Sequence, residues 1–161
     1  MKCQRGFTFI ALLIAVAIIG AALAAVSGVW ATAQTQEKER ELLFVGDEFR
    51  RAIAGYAGHS TNAAARYPLS LEDLLKDPRY PRTQRHLRKI YVDPITGKTD
   101  WGLVKGPNGE IYGVYSQSEE KPLKIANFDP ADAQFEGKTK YSEWVFMGLR
   151  LTALNPVGKT K

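Results

Sequence analysis

An uncharged apolar run from Phe7 to Trp30 constrains this chain more than any other feature of its sequence. The run contains 24 consecutive residues without a charged side chain, and only two glycines, a threonine and a serine interrupt it. At about 1.5 Å of rise per residue, such a helix is roughly 36 Å long, which is enough to cross a hydrocarbon core of about 30 Å with some tilt. The run therefore predicts a membrane-spanning helix.

The charges on either side of the run predict its orientation. Lys2 and Arg5 precede it, whereas most of the 161 residues follow it. The positive-inside rule then places the N-terminus in the cytoplasm and the rest of the chain on the outer side of the membrane. The single cysteine, Cys3, also precedes the run, so stability outside the membrane must come from core packing and not from disulfides.

A secretory signal peptide is an alternative interpretation of the same N-terminus. Ala22, Leu23 and Ala24 have the small-x-small pattern of a signal peptidase site. A signal peptide normally has an apolar region of about 7 to 15 residues, whereas this run continues past the cut. The signal-peptide interpretation predicts a mature protein that starts near Ala25.

Beyond the run, the helix is predicted to continue as an amphipathic segment. Its apolar residues recur at steps of three and four and form one stripe. The stripe consists of Leu42, Val45, Phe49, Ala52, Ile53 and Tyr56. Because no proline occurs between Phe7 and Tyr56 and Gly58 is suited to end a helix, one helix of about fifty residues and roughly 75 Å is predicted.

The remainder of the sequence predicts a short helix followed by an antiparallel sheet. Ser70 and Asp73 have the spacing of a capping box at the start of the short helix. Trp101 to Val104 and Ile111 to Ser116 have strand composition and are separated by the turn sequence GPNG. A last strand is predicted from Glu143 to Leu151. The predicted fold class is α+β.

Sequence patterns that indicate catalysis are absent. Neither His59 nor His86 has a nucleophile or carboxylate motif around it, and the sequence contains no HExxH motif and no glycine-rich phosphate loop. We therefore predict that the protein is not an enzyme and that it uses no cofactor.

The stretch KCQRGFTFIALLIAVAIIGAALA resembles the class III signal of type IV pilins and type II secretion pseudopilins. In that signal a short basic leader ends in glycine, and a phenylalanine then begins an uninterrupted helix. The stretches YPLSLEDLL and LRKIYVDPITGKTDWGLV also resemble pseudopilin-like proteins of Gram-negative bacteria. The resemblance implies that a membrane-embedded prepilin peptidase cuts between Gly6 and Phe7 and that Phe7 is then N-methylated. Glycine at the cut keeps side chains out of a tight active site.

Ala11 departs from the pattern of these families. The resemblance implies a glutamate at this fifth position after the cut, where it neutralises the N-terminal ammonium of an adjacent subunit. A carboxylate in lipid is costly unless it is paired, so alanine suits a membrane helix but removes a contact that sets the register of assembly. The pseudopilin at the tip of type II secretion filaments also lacks this glutamate, and Ala11 therefore fits a minor or tip-proximal subunit.

One cluster of cations is a candidate contact surface for a polyanion or another subunit, and an ordinary solvated surface is the alternative interpretation. It consists of Arg82, Arg85, Arg88 and Lys89. Nucleic acid is the less favoured partner, because no ladder of aromatic residues accompanies the cluster. Loss of Lys2 and Arg5 with the leader would also lower the formal net charge from +5 to +3.

A calcium site is the remaining candidate, because the major pseudopilins that the chain resembles hold calcium in a C-terminal loop. Asn127, Asp129 and Asp132 could supply oxygen ligands. The EF-hand spacing is absent, however, and turn formation explains the same residues. We therefore predict no metal site, with these three residues as the weak calcium candidates.

The sequence thus predicts a structural subunit of a type II secretion pseudopilus or a type IV pilus-like filament. Its parts are a leader (1–6), a transmembrane and assembly helix (7–30), an amphipathic continuation (31–58) and a periplasmic α+β region (59–161). The expected partners are other pilin or pseudopilin subunits, the prepilin peptidase, the inner-membrane assembly platform and the membrane. The alternative is a secreted or singly anchored periplasmic binding domain that does not polymerise.

Overall fold

The computed structural model describes residues 5–59 and 66–148. The chain divides into two units, Met1–Glu37 and Lys38–Lys161. The fold is α+β, and its described helices and strands are α1 (Arg5–Gly58), α2 (Glu72–Leu75), β1 (Gly102–Lys105), β2 (Ile111–Tyr115) and β3 (Val145–Met147).

Helix α1 confirms the prediction of one long helix. It contains 54 residues and ends at Gly58, where a residue without Cβ is well suited to a helix terminus. All six residues of the predicted apolar stripe are buried, and Leu42, Phe49 and Ile53 have no exposed surface. The three-and-four spacing therefore identified the face of α1 that contributes to the core of the Lys38–Lys161 unit.

The predicted capping box precedes α2. Asp73 N donates to Ser70 Oγ at 3.3 Å, and Ser70 N donates in return to Asp73 Oδ2 at 3.0 Å. The helix ends at Leu75, and the following residue, Lys76, has extended backbone. Within α2, Leu74 is completely buried, so the short helix contributes one anchor to the core.

Three antiparallel strands form the sheet in the order β1-β2-β3. Leu103 is opposite Val114, and Val114 is opposite Phe146. The predicted hairpin is confirmed, because β1 and β2 are joined through the GPNG turn. Gly109 has a φ of 84° in that turn, a conformation that a residue with Cβ rarely adopts.

The predicted start of the last strand is wrong. Strand β3 begins at Val145, whereas Glu143 belongs to the 3₁₀ turn Tyr141–Glu143. The Glu143 carboxylate accepts hydrogen bonds from Thr139 N at 2.8 Å and Lys140 N at 3.2 Å, which holds the residue in this turn. Residues 149–151 of the predicted strand lie outside the described residues.

Aromatic side chains pack α1 against the residue that precedes β1, and they pack the 3₁₀ turn Ala133–Phe135 against β3. The ring centroids of Phe49 and Trp101 are 5.1 Å apart. Phe135 stacks on Trp144 with centroids 5.5 Å apart and an angle of 7° between the ring planes, and its ring meets that of Phe146 edge-on. These contacts make the aromatic residues of the sheet a packed core and not an exposed stacking platform.

Candidate functional site

The Gly6–Phe7 junction lies in the first turn of α1, which begins at Arg5. The leader residues before Arg5 lie outside the described residues. The peptide bond that the resemblance assigns to the peptidase is therefore in helical backbone, directly before the apolar segment.

The apolar segment that follows exposes its large side chains in every direction around α1. Between Phe9 and Ile19 their exposed fractions range from 53% for Leu13 to 63% for Ile18, and Trp30 at the end of the run is 73% exposed. The set consists of Phe9, Ile10, Leu12, Leu13, Ile14, Val16, Ile18 and Ile19. An apolar surface of this kind needs another apolar environment to cover it. Among the residues that the structure describes, no helix has both the length and the apolar character required to cross a membrane.

Ala11 lies within this apolar segment, and its side chain is exposed. The first acidic residue of the sequence is Glu37. The segment therefore contains no carboxylate that could pair with an ammonium group at Phe7.

A buried carboxylate organises the region where α1 ends. Asp77 accepts hydrogen bonds from Arg79 Nε at 2.8 Å and Arg79 Nη2 at 2.6 Å, and His86 Nε2 lies 3.1 Å from Asp77 Oδ2. The Asp77 side chain has no exposed surface. The hydrogen bond from Arg79 is the largest influence on Asp77 and lowers the pKa of its carboxyl from 3.8 to about 2. The sequence pattern does not indicate this network.

The candidate cations Arg82, Arg85, Arg88 and Lys89 all lie at the surface, on the loop that follows this network. None of the three arginines forms an ion pair within the described part of the chain, and the ammonium of Lys89 lies 5.3 Å from the ring centroid of Tyr91. The structure thus places the four cations together on one loop, where they are accessible to an external anion.

The three calcium candidates lie around one turn. Asn127 has a φ of 59°, and Asp132 N donates to the Asp129 carbonyl at 2.8 Å. The Asp132 carboxylate is engaged by Arg50 Nη2 at 2.5 Å. Residues 5–59 and 66–148 contain no group of three or more His, Cys, Asp or Glu side chains that could hold a metal ion.

A second buried carboxylate, that of Glu39, is also absent from the residues predicted from the sequence. One of its oxygens accepts hydrogen bonds from Leu123 N at 2.6 Å, Lys124 N at 3.2 Å and Tyr141 Oη at 3.0 Å. Burial, followed by the hydrogen bond to Glu39, raises the pKa of the Tyr141 hydroxyl. Glu39 lies three residues before Leu42, so its position in the apolar stripe was the signal that could have revealed it.

Comparisons with known proteins bear on the N-terminal segment. No curated protein and no solved structure matches the chain. Residues 1–27 match the family model of the prokaryotic N-terminal methylation motif, which characterises structural proteins and not enzymes. The chain therefore carries at its N-terminus the signature of the type IV pilins and pseudopilins that are substrates of the prepilin peptidase.

Proposed function

We propose that this protein is a structural subunit of a type II secretion pseudopilus or a type IV pilus-like filament. The prepilin peptidase cuts it between Gly6 and Phe7, and the new N-terminus at Phe7 is methylated. The observation that carries the proposal is the methylation motif at residues 1–27, which joins a basic leader directly to an apolar helix.

The exposure of that helix supports assembly. A globular domain buries large apolar side chains, whereas Phe9, Leu12 and Ile18 each expose more than 60% of their surface. Lipid covers such a helix before assembly, and the helices of neighbouring subunits cover it in a filament. The same segment thus serves first as an anchor and then as the assembly element.

In this proposal, residues 7–30 anchor the chain in the inner membrane with its N-terminus in the cytoplasm. Residues 31–58 continue the helix, and residues 59–161 complete a periplasmic α+β region. The 24-residue uncharged run and the preceding Lys2 and Arg5 support this topology. Subunits of the filament and the inner-membrane assembly platform are the partners.

Ala11 supports a minor or tip-proximal subunit within the filament. A subunit in the body of the filament would meet the ammonium of a neighbouring Phe7 at this position, and an alanine cannot neutralise that charge. At a filament end the chain lacks one neighbour, so the missing carboxylate costs less there.

The mass of the mature protein tests the proposal. Prepilin processing gives a protein that starts at Phe7, with or without the mass of one methyl group on its N-terminus. A protein that starts near Ala25 would indicate a secreted domain and would contradict the filament function. An uncut chain that still carries Met1 would contradict processing by the prepilin peptidase.

A further inference from the structure

We propose that Arg82, Arg85, Arg88 and Lys89 form a docking surface for a short acidic segment of a neighbouring filament subunit. This surface is called the cationic loop below. The inference rests on the proposed filament function, because that function supplies the neighbour. All the contacts of the loop that are used below lie within the Lys38–Lys161 unit.

Backbone hydrogen bonds hold the loop in one conformation. Asp77 N donates to the Gln84 carbonyl at 3.0 Å, and His86 N and Leu87 N donate to the Leu74 carbonyl at 2.8 and 2.9 Å. The Leu87 side chain is 3% exposed. The backbone of the loop is therefore fixed at Gln84, His86 and Leu87. Because the cations are next to these fixed residues, binding of a partner costs little additional backbone entropy.

The described carboxylates of this chain do not neutralise the positive charge of the cationic loop. The two carboxylates that flank the loop in sequence, those of Asp77 and Asp93, are both buried. Asp77 is paired with Arg79 at 2.6 Å, and Asp93 Oδ2 accepts a hydrogen bond from Ser116 Oγ at 2.7 Å. Two other arginines of the unit are paired with carboxylates, since Arg50 binds Asp132 and Arg51 binds Glu48. Arg82, Arg85 and Arg88 differ from these arginines because no described carboxylate lies within ion-pair distance of their guanidinium groups.

Arginine is the side chain that best suits the proposed partner. Its planar guanidinium binds a carboxylate through two parallel hydrogen bonds, which fixes the geometry as well as the charge of the contact. The eight residues from Arg82 to Lys89 span at most about 28 Å when extended. An acidic segment of similar length, with three or four carboxylates, matches the number and spread of the cations.

Two observations favour an acidic protein segment over nucleic acid. The cations occupy a single loop, and the nearby Tyr80 and Tyr91 are only partly exposed, so no aromatic platform is available for base stacking. The chain without Lys2 and Arg5 has a formal net charge of only +3, compared with +5 for the full sequence. A protein with so small a net charge attracts a long polyanion such as DNA only weakly. A local contact between a few charged side chains suits it better.

The test uses the full chain in micelles of a neutral detergent and a fluorescent glutamate peptide of about ten residues, at a salt concentration of about 50 mM. The test variant combines Arg82→Gln, Arg85→Gln and Arg88→Gln. The control variant combines Lys98→Gln, Lys121→Gln and Lys138→Gln, three exposed cations outside the loop. Both variants lose the same charge. Thermal unfolding of each variant establishes that the fold is retained.

We expect the peptide to bind the wild type and to bind the arginine variant about tenfold more weakly, because each exposed ion pair contributes about 1.4- to 5-fold. The lysine variant should remain within about twofold of the wild type. Equal affinity for the two variants, or no binding to the wild type, would overturn the proposal. Tighter binding of a DNA duplex than of the peptide would also overturn it in favour of a nucleic-acid surface.

Incorporation into filaments separates this inference from the proposed function. If the wild type matures at Phe7 and enters filaments but the arginine variant enters them equally well, only the docking surface is wrong. If the wild type enters no filament, the proposed function fails, and the peptide measurement still reports on the loop.

Discussion

The guanidinium carbon of Arg79 lies 3.6 Å from the centroid of the Tyr56 ring. The same guanidinium donates to the Tyr56 carbonyl at 2.9 Å and to both carboxylate oxygens of Asp77. One arginine therefore ties the last turns of α1 to the segment that follows α2. Since the cationic loop is bonded to this segment through Asp77 N, the stability of the network determines how firmly the loop is held.

The first prediction concerns the pH dependence of this network. The pKa of Asp77 falls from 3.8 to about 2 in the folded protein. Because a lowered pKa favours the ionised folded state, its contribution is fully present above about pH 4 and is lost as the pH falls towards 2. Asp77→Asn should destabilise the protein at pH 7 by about 2 kcal/mol. Below pH 4, the difference in stability between the variant and the wild type should become smaller.

Thermal unfolding followed by near-ultraviolet circular dichroism measures this deficit, because Trp101 and Trp144 are buried. Asp129→Asn is the matched control, since Asp129 is exposed and its replacement should have little effect. A deficit for Asp77→Asn that stays constant from pH 7 to pH 2 would show that the charge of Asp77 does not contribute.

The second prediction concerns the Glu39 carboxylate. Glu39→Ala removes the acceptor of two backbone amides and of the Tyr141 hydroxyl. The Tyr141 hydroxyl is a buried donor, and an unsatisfied buried donor costs about 1 to 3 kcal/mol, so we expect a loss of stability in this range. The amides of Leu123 and Lys124 should also exchange hydrogen with solvent faster than in the wild type. Glu41→Ala, at an exposed position of the same helix, should leave both amides protected.

The third prediction concerns the close approach of α1 and β3. A Cβ added to Gly46 would lie 2.3 Å from the Phe146 ring, whereas a Cβ added to Gly58 meets nothing within 4 Å. Glycine to alanine in a helix normally stabilises by up to about 1 kcal/mol. Gly46→Ala should instead destabilise by about 1 to 3 kcal/mol through overpacking. Denaturant unfolding measures this change. If the free energy of unfolding of Gly46→Ala equalled or exceeded that of the wild type, the Phe146 ring would be able to move aside at no cost.

Much of the fold could be predicted because periodic patterns determine it locally. The stripe from Leu42 to Tyr56 identified the core face of α1, and the GPNG turn identified the β1-β2 hairpin. Glu143 was predicted as a strand residue because its neighbours have strand composition. Its carboxylate instead accepts hydrogen bonds from the backbone of Thr139 and Lys140. Strand propensity does not include such local hydrogen bonds between a side chain and the backbone, which compete with strand formation.

The polar networks could not be predicted because their partners are distant in sequence. Glu39 bonds Tyr141, which is 102 residues away, so its position in the apolar stripe of α1 can indicate burial but cannot identify this partner. Asp77 and Arg79 are neighbours in sequence, yet the ring of Tyr56 that completes their site belongs to another element. At the N-terminus the processing motif is contiguous, so its identification needed no tertiary information.

The fourth prediction concerns the proposed cleavage bond. Gly6→Val places a β-branched side chain at the cut, where the peptidase requires close approach to the backbone. The uncut precursor should accumulate in the membrane fraction, and its intact mass should include residues 1–6. Gly20→Val, within the same helix, should leave maturation unchanged. Normal cleavage of Gly6→Val would contradict processing at this bond.

The fifth prediction concerns Ala11, where the sequence departs from the pattern of its motif. The apolar segment contains no carboxylate before Glu37, so the ammonium of Phe7 in one subunit finds no partner in the corresponding segment of another. The wild type should therefore be present at low stoichiometry in filaments and should not form long filaments alone. Ala11→Glu supplies the missing charge, and a charge pair in a low-dielectric core is favourable only when both partners are present. We expect the substitution to increase incorporation along the filament, which quantitative mass spectrometry of sheared filaments can measure.

Ala11→Gln, which has a similar size to Ala11→Glu but no charge, should leave incorporation at the wild-type level. Abundant filaments made of the wild type alone would contradict the minor-subunit role, because they would show that Ala11 does not limit polymerisation.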